Sequence, residues 1–357
     1  MGIDITFSND MIPKILIIYT GGTIGMAMDY DSQSLIPFDF DNLIKKLPEL
    51  SLIDCDINYY SFENPIDSAD MKPEIWIRIG EILEEKYDLY DGFVILHGTD
   101  TMAYTASALS FMIENLDKPI IFTGSQLPIG ELRTDAKENL ITTVLLASLM
   151  QDNEPIIQEV CIYFEYKLFR ANRATKVNAE NFDAFDSPNF PSLGISGVHL
   201  DVKKNLLFHY PINGPFMVNK QLNPSVGVLK IFPGITKDFV KNIFQTPNVK
   251  AFIIEGYGTG NIFTEEWFID ILKKKVEEKV HLIINTQCAG GMVEIGRYAT
   301  SLPLRKMGVI SSYDLTMEAA ITKVIYLLGQ NLSYQDFKIE YEKNLKGELT
   351  NNRHLLH

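Results

Sequence analysis

The chain has 357 residues, of which 46% are hydrophobic and 22% are charged, and its formal net charge is −14. A chain of this length exceeds the size at which one hydrophobic core usually keeps growing, so we expect two domains. The acidic balance repels phosphate backbones and anionic lipid head groups, which argues against nucleic acid and membrane surfaces as partners. The sequence also lacks an apolar run long enough to span a membrane.

The three cysteines, Cys55, Cys161 and Cys288, are few, odd in number and far apart. Neither they nor the six histidines have the spacing of metal ligands. Cys161 lies in an apolar run, as a reduced core cysteine does. The N-terminus lacks the basic region and the apolar stretch of a signal peptide. We therefore expect a reduced, cytoplasmic protein without a metal site.

The first candidate motif is the run TGGTIG at residues 20–25, directly after an apolar run at residues 15–18. The short, branched apolar run predicts a strand buried on both faces. Paired glycines let the backbone turn tightly and leave room for a ligand beside the main chain. Thr23 is then either a ligand-facing hydroxyl at the end of a strand or a residue that caps the following turn.

Strands and helices alternate in the rest of the N-terminal part, which predicts a parallel sheet covered by helices. A polar stretch at residues 28–34 has no apolar period, and we expect it to be a loop that serves as a lid. The predicted strands are residues 57–62, 92–96, 119–122 and 159–164, and the predicted helices are residues 40–47, 74–87, 103–113 and 133–150.

Proline, glycine and asparagine gather in residues 208–224, which we interpret as a linker. The N-terminal domain would then be residues 1–207, and a smaller C-terminal domain would be residues 225–357. The C-terminal part contains three further strand patterns that end in glycine-rich or polar turns, followed by two helical patterns. The predicted fold class is α/β, with two open parallel-sheet domains, the larger at the N-terminus.

Three of the predicted N-terminal strands run into small hydroxyl residues. If the sheet is parallel, the ends of these strands share one edge and their hydroxyls can face a common polar pocket. The imidazole of His97 is expected to lie under the turn at Gly98, hydrogen-bonded. The hydroxyl residues are Thr20 and Thr23 after the first strand, Thr99 and Thr101 after the second, and Thr123 and Ser125 after the third.

Asp100 follows a buried strand and stands between two threonines. A carboxylate at such a place needs a cation or a hydrogen-bond donor, and Lys176 is available further along the chain. Thr99, Asp100 and Lys176 would form a nucleophile or water activator, an orienting group and a base, because burial favours the neutral form of a lysine. The alternative is a structural ion pair between Asp100 and Lys176.

The chain resembles the L-asparaginases in six segments that occur in order and at compatible spacing. Residues 20–25 resemble the first signature of that family, and residues 92–102 resemble the second. The match covers nearly the whole chain, and its closest form is the cytoplasmic, type I bacterial asparaginase. The other four segments are residues 67–71, 172–176, 308–319 and 345–350.

The resemblance implies a reaction, the hydrolysis of L-asparagine to L-aspartate and ammonia. Thr23 resembles the nucleophile that forms an acyl-threonine intermediate. Thr99, Asp100 and Lys176 resemble a second catalytic set that raises the reactivity of a hydroxyl or a water. This chemistry requires neither a metal nor a cofactor.

The resemblance also implies how the substrate is held. Asp67, Ser68 and Ala69 match the segment that binds the α-carboxylate and α-amino groups of asparagine. Thr99 and Asp100 belong to the same substrate site, where Asp100 would meet the α-ammonium group. The family further implies a homodimer or a homotetramer.

The sequence departs from the family pattern in two places. Many members have a catalytic tyrosine on the lid, but that position falls at Leu35 here. Tyr298 resembles the tyrosine that some type I relatives use instead, and we rank it above Tyr30, the nearest tyrosine of the lid. Residues 286–288 match a regulatory asparagine site of some type I enzymes, but Glu255 stands where those enzymes have an arginine.

Two other hypotheses about the function remain open. The chain could be a non-catalytic protein that binds or senses an amino acid on the same fold. It could also be an amidohydrolase with substantial activity on glutamine, since one methylene group contributes only about 1–3 kcal/mol to discrimination. A transamidation role on charged tRNA is weakened by the acidic chain and by the lack of an added RNA-binding module.

Overall fold

The computed structural model describes residues 12–29, 34–37, 47–296 and 302–350. It divides the chain into two compact units, Met1–Lys220 and Gln221–His357. Each unit consists of a β-sheet covered by helices, so the predicted α/β class with a larger N-terminal and a smaller C-terminal sheet is confirmed.

The elements of the first unit are the strands β1 (Lys14–Tyr19), β2 (Met26–Asp29), β3 (Ser34–Pro37), β4 (Asp56–Ser61), β5 (Gly92–Leu96), β6 (Ile113–Glu114), β7 (Ile120–Thr123), β8 (Met150–Gln151), β9 (Glu154–Pro155), β10 (Val160–Phe164), β11 (Lys167–Arg170), β12 (Thr175–Lys176), β13 (Phe185–Asp186), β14 (Gly194–Ser196), β15 (Leu200–Val202) and β16 (Met217–Val218), with the helices α1 (Pro73–Lys86), α2 (Met102–Met112) and α3 (Ala136–Ala147). The elements of the second unit are β17 (Val226–Lys230), β18 (Ala251–Gly256), β19 (His281–Thr286), β20 (Ile310–Ser311), α4 (Lys237–Phe244), α5 (Glu266–Glu277), α6 (Leu302–Met307), α7 (Met317–Gly329) and α8 (Tyr334–Tyr341).

The main sheet of the first unit has the strand order β15-β14-β11-β10-β7-β5-β1-β4. Strands β4, β1, β5, β7 and β10 pair in parallel, so their carboxyl ends lie at one edge of the sheet. Strands β11, β14 and β15 extend the sheet by antiparallel pairing. The sequence did not predict these three strands, which are short and join the sheet at one end.

The central strands of this sheet are buried along their whole length. In β5 every residue is buried, and in β1 every residue after Lys14 is buried. Such strands have helices on both faces, which is why they appear in the sequence as continuous apolar runs rather than as an alternating pattern. The result is a rigid set of strand ends on which polar turns can be held.

Two predicted elements of the first unit differ from the structure. The ends of the polar stretch predicted as a lid loop, residues 28–29 and 34, belong to the antiparallel pair of β2 and β3, while residues 30–33 lie outside the described residues. The helix predicted over residues 133–150 is α3, which begins at Ala136 and ends at Ala147. The helix predicted over residues 40–47 falls almost entirely outside the described residues.

The second unit has a parallel sheet with the strand order β17-β18-β19-β20. Alternate residues of β18 point to opposite faces: Phe252 and Ile254 pack with α4 and α5, and Ala251 and Ile253 pack with α7 and α8. The sequence predicted α7 and α8 but missed α4 and α5.

Glu165 lies in the two-residue turn between β10 and β11, where Glu165 and Tyr166 have φ values of 42° and 67°. Burial, followed by the negative charges of Asp135 and Glu138, raises the pKa of Glu165 to about 6. The folded state therefore binds more protons than the unfolded state between the unfolded value of 4.5 and about 6. Stability contributed by this group is lost as the pH rises through that interval, and it stays lower above it.

We therefore expect Glu165→Gln to raise the melting temperature at pH 8 and to leave it nearly unchanged at pH 4, where the wild-type carboxyl group is also neutral. Thermal unfolding at both pH values measures the difference. Glu63→Gln, at an exposed position, is the control and should give no such pH-dependent gain. An equal effect of Glu165→Gln at both pH values would contradict the explanation.

Candidate active site

Thr23 lies on a turn that glycine makes possible. After β1, Gly21 has φ 138° and Gly22 has φ 89° with ψ 168°, a backbone region that is essentially restricted to glycine. Thr23 is the first residue of the short 3₁₀ helix Thr23–Gly25, and Gly22 occupies the N-cap position. The threonine hydroxyl therefore does not cap this turn, which removes the simpler of the two interpretations of the motif.

The turn that carries Thr23 is in direct contact with the turn that carries Thr99. A β-carbon on Gly22 would lie 2.5 Å from the main-chain nitrogen of Gly98 and 2.6 Å from its Cα, closer than real β-carbons approach other atoms. Thr23 follows the first of these glycines and Thr99 follows the second. The missing side chain of Gly22 thus brings the two threonine-bearing turns together.

The segment at residues 67–69 packs against the same turns. Asp67 caps the short 3₁₀ helix Ser68–Asp70, and its Oδ1 accepts a hydrogen bond from the N–H of Ala69 at 2.9 Å. Ser68 is buried, and a β-carbon on Gly98 would lie 2.5 Å from its Oγ. The hydroxyl of Thr101 donates to the carbonyl of Ser68 at 2.7 Å. The segment predicted to bind substrate is therefore fixed beside Thr99.

Lys176 joins the two neighbours Thr99 and Asp100. Its Nζ lies 2.7 Å from Thr99 Oγ1 and 2.7 Å from Asp100 Oδ1. The lysine side chain is only 16% exposed, whereas that of Asp100 is 66% exposed. An ion pair with such an exposed partner adds little to stability. The carboxylate of Asp100 therefore stays accessible to solvent while it pairs with Lys176.

The hydroxyls at the three strand ends do not all face one pocket. Three of them donate to main-chain carbonyls: Thr20 to Leu96 at 2.9 Å, Thr123 to Tyr163 at 2.9 Å, and Ser125 to Leu127 at 2.6 Å. Together with Thr101, these residues hold the turns in place. The prediction of six converging hydroxyls is wrong for these four, because nearby carbonyls accept their hydrogens.

Gln126 is a polar neighbour of this cluster that the sequence did not point to. Thr99 Oγ1 donates to Gln126 Oε1 at 3.2 Å. Glutamine belongs to no recognisable catalytic pattern, and its one sequence signal is its place three residues after β7, at the same edge of the sheet as Thr99.

The predicted contact of His97 is confirmed: the imidazole is fully buried, and Nδ1 lies 2.7 Å from the carbonyl oxygen of Gly98. Burial lowers the pKa of His97 to about 4.

Two family models match the chain. Residues 14–208 match the model described as Asparaginase, N-terminal, and residues 225–339 match Glutaminase/Asparaginase C-terminal domain. The chain belongs to the asparaginase family. The resemblance seen in the six sequence segments is thereby confirmed.

Individual asparaginases are similar over nearly the whole chain. L-asparaginase 1 of Escherichia coli (strain K12) is 42% identical over 338 residues, which cover 94% of this chain and 98% of that protein. The crystal structure of L-asparaginase I from Vibrio cholerae O1 biovar eltor has a TM-score of 0.86 and 39% identity, covering 95% of this chain and all of that one (100%). The crystal structure of a probable cytoplasmic L-asparaginase from Campylobacter jejuni has a TM-score of 0.77 and 27% identity, covering 93% and 100%.

The tyrosines predicted to assist in this asparaginase, Tyr298 and Tyr30, both lie outside the described residues. Leu35, at the usual tyrosine position, belongs to β3. The tyrosine nearest to Thr23 along the described chain is Tyr19, whose hydroxyl lies 3.4 Å from the carbonyl oxygen of Gly22. Burial raises the pKa of Tyr19 to about 12, so this hydroxyl stays protonated at neutral pH.

In the second unit, the polar groups of residues 286–288 contact the protein itself. The amide of Gln287 donates to the carbonyls of Ile231 and Glu255, at 2.6 and 2.8 Å. The carboxylate of Glu255 lies 3.9 Å from Lys230 Nζ. A carboxylate at this position would repel the α-carboxylate of an asparagine effector, as the sequence indicated.

Within residues 12–29, 34–37, 47–296 and 302–350, no group of three or more His, Cys, Asp or Glu side chains is placed to hold a metal ion. None of the helices in those ranges is long and apolar enough to cross a membrane.

The contact between the two threonine turns can be tested with Gly22→Ala. The new methyl group would overlap Gly98 and push the turns apart, and a misplacement of about 1 Å can lower turnover about 100-fold. Gly234→Ala is a matched control, because Gly234 has φ 92° but no atom within 4 Å of its β-carbon position. Steady-state kinetics and thermal unfolding should show a loss of activity for Gly22→Ala beyond the strain that both variants share. Equal activity in the two variants would contradict this account.

Proposed function

We propose that the chain is a cytoplasmic enzyme that hydrolyses L-asparagine to L-aspartate and ammonia. The observation that carries the proposal is the three-way contact of Lys176 with Thr99 and Asp100 inside an asparaginase-family chain. The contact between Gly22 and Gly98 supports it, because it brings a second threonine-bearing turn to the same place.

The proposed reaction has two steps. The Thr23 hydroxyl oxygen attacks the side-chain amide carbon of asparagine, an ester forms, and the nitrogen leaves as ammonia after it gains a proton. A water then attacks the ester, which releases aspartate and restores the Thr23 hydroxyl. Lys176 acts as the base, Asp100 orients it, and Thr99 carries the activated hydroxyl or holds the water.

Substrate binding is assigned to the turn beside Thr99. The exposed carboxylate of Asp100 can accept the α-ammonium group of asparagine. Asp67 and Ser68 hold the α-groups, and each hydrogen bond to a charged group contributes about 1.5–3 kcal/mol. Ala69 belongs to the same binding segment, and its N–H holds the Asp67 carboxylate in place.

Three further parts of the proposal rest on the sequence and the family rather than on the geometry of the site. Tyr298, in preference to Tyr30, takes the proton from Thr23. The protein forms a homodimer or a homotetramer, which analytical ultracentrifugation would distinguish. The cytoplasmic location agrees with the similarity to the Campylobacter jejuni protein, which is described as a probable cytoplasmic L-asparaginase.

The experiment that tests the function is an ammonia-release assay on L-asparagine and L-glutamine. Thr23→Ala and Lys176→Met should each lower kcat about 1,000-fold, which corresponds to about 4 kcal/mol of lost transition-state stabilisation. Lys167→Met is the matched control for the lysine, because Lys167 also pairs with an aspartate, Asp183 at 3.3 Å, but at an exposed position. It should retain kcat within about twofold, as removal of an exposed ion pair usually does little.

Three results would contradict the proposal in different ways. Wild-type kcat in Thr23→Ala would exclude that residue as the nucleophile. Binding of asparagine by calorimetry without ammonia release would favour a sensing protein. Similar kcat/KM for asparagine and glutamine would favour a broader amidohydrolase.

A further inference from the structure

The Gln126 side chain connects Thr99 to the segment that carries Lys176. Its Oε1 accepts the hydrogen of Thr99 Oγ1 at 3.2 Å. Its Nε2 donates to the carbonyls of Ala179 and Asn181, at 3.2 and 3.0 Å. Both carbonyls belong to the lysine hairpin, which we define as β12, β13 and the loop between them. The one amide group of Gln126 thus contacts both Thr99 and the hairpin that carries Lys176.

The backbone of Gln126 is fixed independently of its side chain. Asp135, which is 4% exposed, accepts hydrogen bonds from the N–H groups of Gln126 and Leu127, at 2.9 and 3.2 Å. Asn139 donates to the carbonyl of Gly124 at 3.0 Å. The start of α3 therefore holds the turn after β7, and the amide of Gln126 starts from a rigid base.

The direction of each hydrogen bond follows from the groups involved. Lys176 Nζ donates to Thr99 Oγ1 at 2.7 Å, so the Thr99 hydroxyl must send its own hydrogen to another acceptor. Gln126 Oε1 is the acceptor at 3.2 Å. The amide cannot be reversed without placing its oxygen against two carbonyl oxygens of the hairpin loop. The whole arrangement therefore has one orientation.

We propose that Gln126 is a positioning residue for the proposed asparaginase reaction, which fixes the Thr99 hydroxyl hydrogen and the lysine hairpin before substrate binds. Preorganised dipoles lower the activation barrier because they need no reorientation during the reaction. The residue acts through Thr99 and Lys176. Since it lies outside the 67–69 turn, its loss lowers kcat rather than the affinity for asparagine.

The inference rests on the proposed function, and Gln126→Met tests it. Methionine keeps the length of the side chain but removes the acceptor and both donors. Gln330→Met is a matched control, because the amide of Gln330 also bridges two main-chain carbonyls, those of Gln221 and Tyr326, at 3.1 and 3.0 Å. We expect Gln126→Met to lower kcat about 10- to 100-fold with KM changed less than about twofold, as a misplaced catalytic group does. Gln330→Met should keep the wild-type kcat.

Gln126→Glu adds a readout that a merely structural role would not move. The new carboxylate would lie within about 6 Å of Lys176 Nζ, since both groups contact Thr99 Oγ1. It would add a second negative charge beside Lys176, whose other charged contact in the described cluster is Asp100. The pH profile of kcat should therefore change in Gln126→Glu and match that of the wild type in Gln126→Met.

Hydrogen exchange separates this inference from the proposed function. Amides of residues 177–184 should exchange about tenfold faster in Gln126→Met, and at the wild-type rate in Gln330→Met, because the loop loses two anchors. If the wild-type protein releases no ammonia from asparagine, the proposed function fails, and this measurement still tests the anchoring. Wild-type kcat in Gln126→Met, a rise in KM alone, or unchanged exchange in the loop would each overturn the inference.

Discussion

The site depends on one steric constraint, the contact between the main chains of Gly22 and Gly98. Strands β1 and β5 are adjacent and parallel, so the sheet brings their ends to the same edge. The sheet does not by itself bring the turns that carry Thr23 and Thr99 into contact. That requires a residue without a β-carbon at Gly22, in a backbone conformation open to glycine. Two threonines, one after each glycine, are then held next to each other by the main chain.

A second set of contacts places charged and polar groups around Thr99. Lys176 comes from a short hairpin beyond the central sheet and lies 2.7 Å from both Thr99 and Asp100. Because Asp100 is mostly exposed, the pair contributes little to folding, and its carboxylate remains accessible to a charged ligand. Gln126 supplies the remaining acceptor for Thr99. Each group of the cluster is thus held by hydrogen bonds before substrate binds, which is the condition for electrostatic preorganisation.

The sequence predicted much of this arrangement, because apolar runs and glycine turns are local signals. These signals predicted the central strands and the turn at Thr23, and the motifs that they form indicated the family. Other features depend on packing in three dimensions. Strand β11 was missed because the turn before it has positive φ at Glu165 and Tyr166, where hairpin turns usually show asparagine or glycine. The hydroxyls of Thr20 and Thr123 could not be assigned, because the carbonyls that accept their hydrogens belong to neighbouring strands.

In the proposed reaction, Thr23 and the Thr99 cluster act on one bound amino acid. A crystal structure of the protein with L-aspartate, the product, tests it most directly. We expect the side-chain carboxylate to lie within hydrogen-bond distance of both Thr23 and Thr99, with the α-groups against Ser68 and Asp100. An aspartate bound with its side chain away from both threonines, or bound elsewhere on the chain, would contradict it.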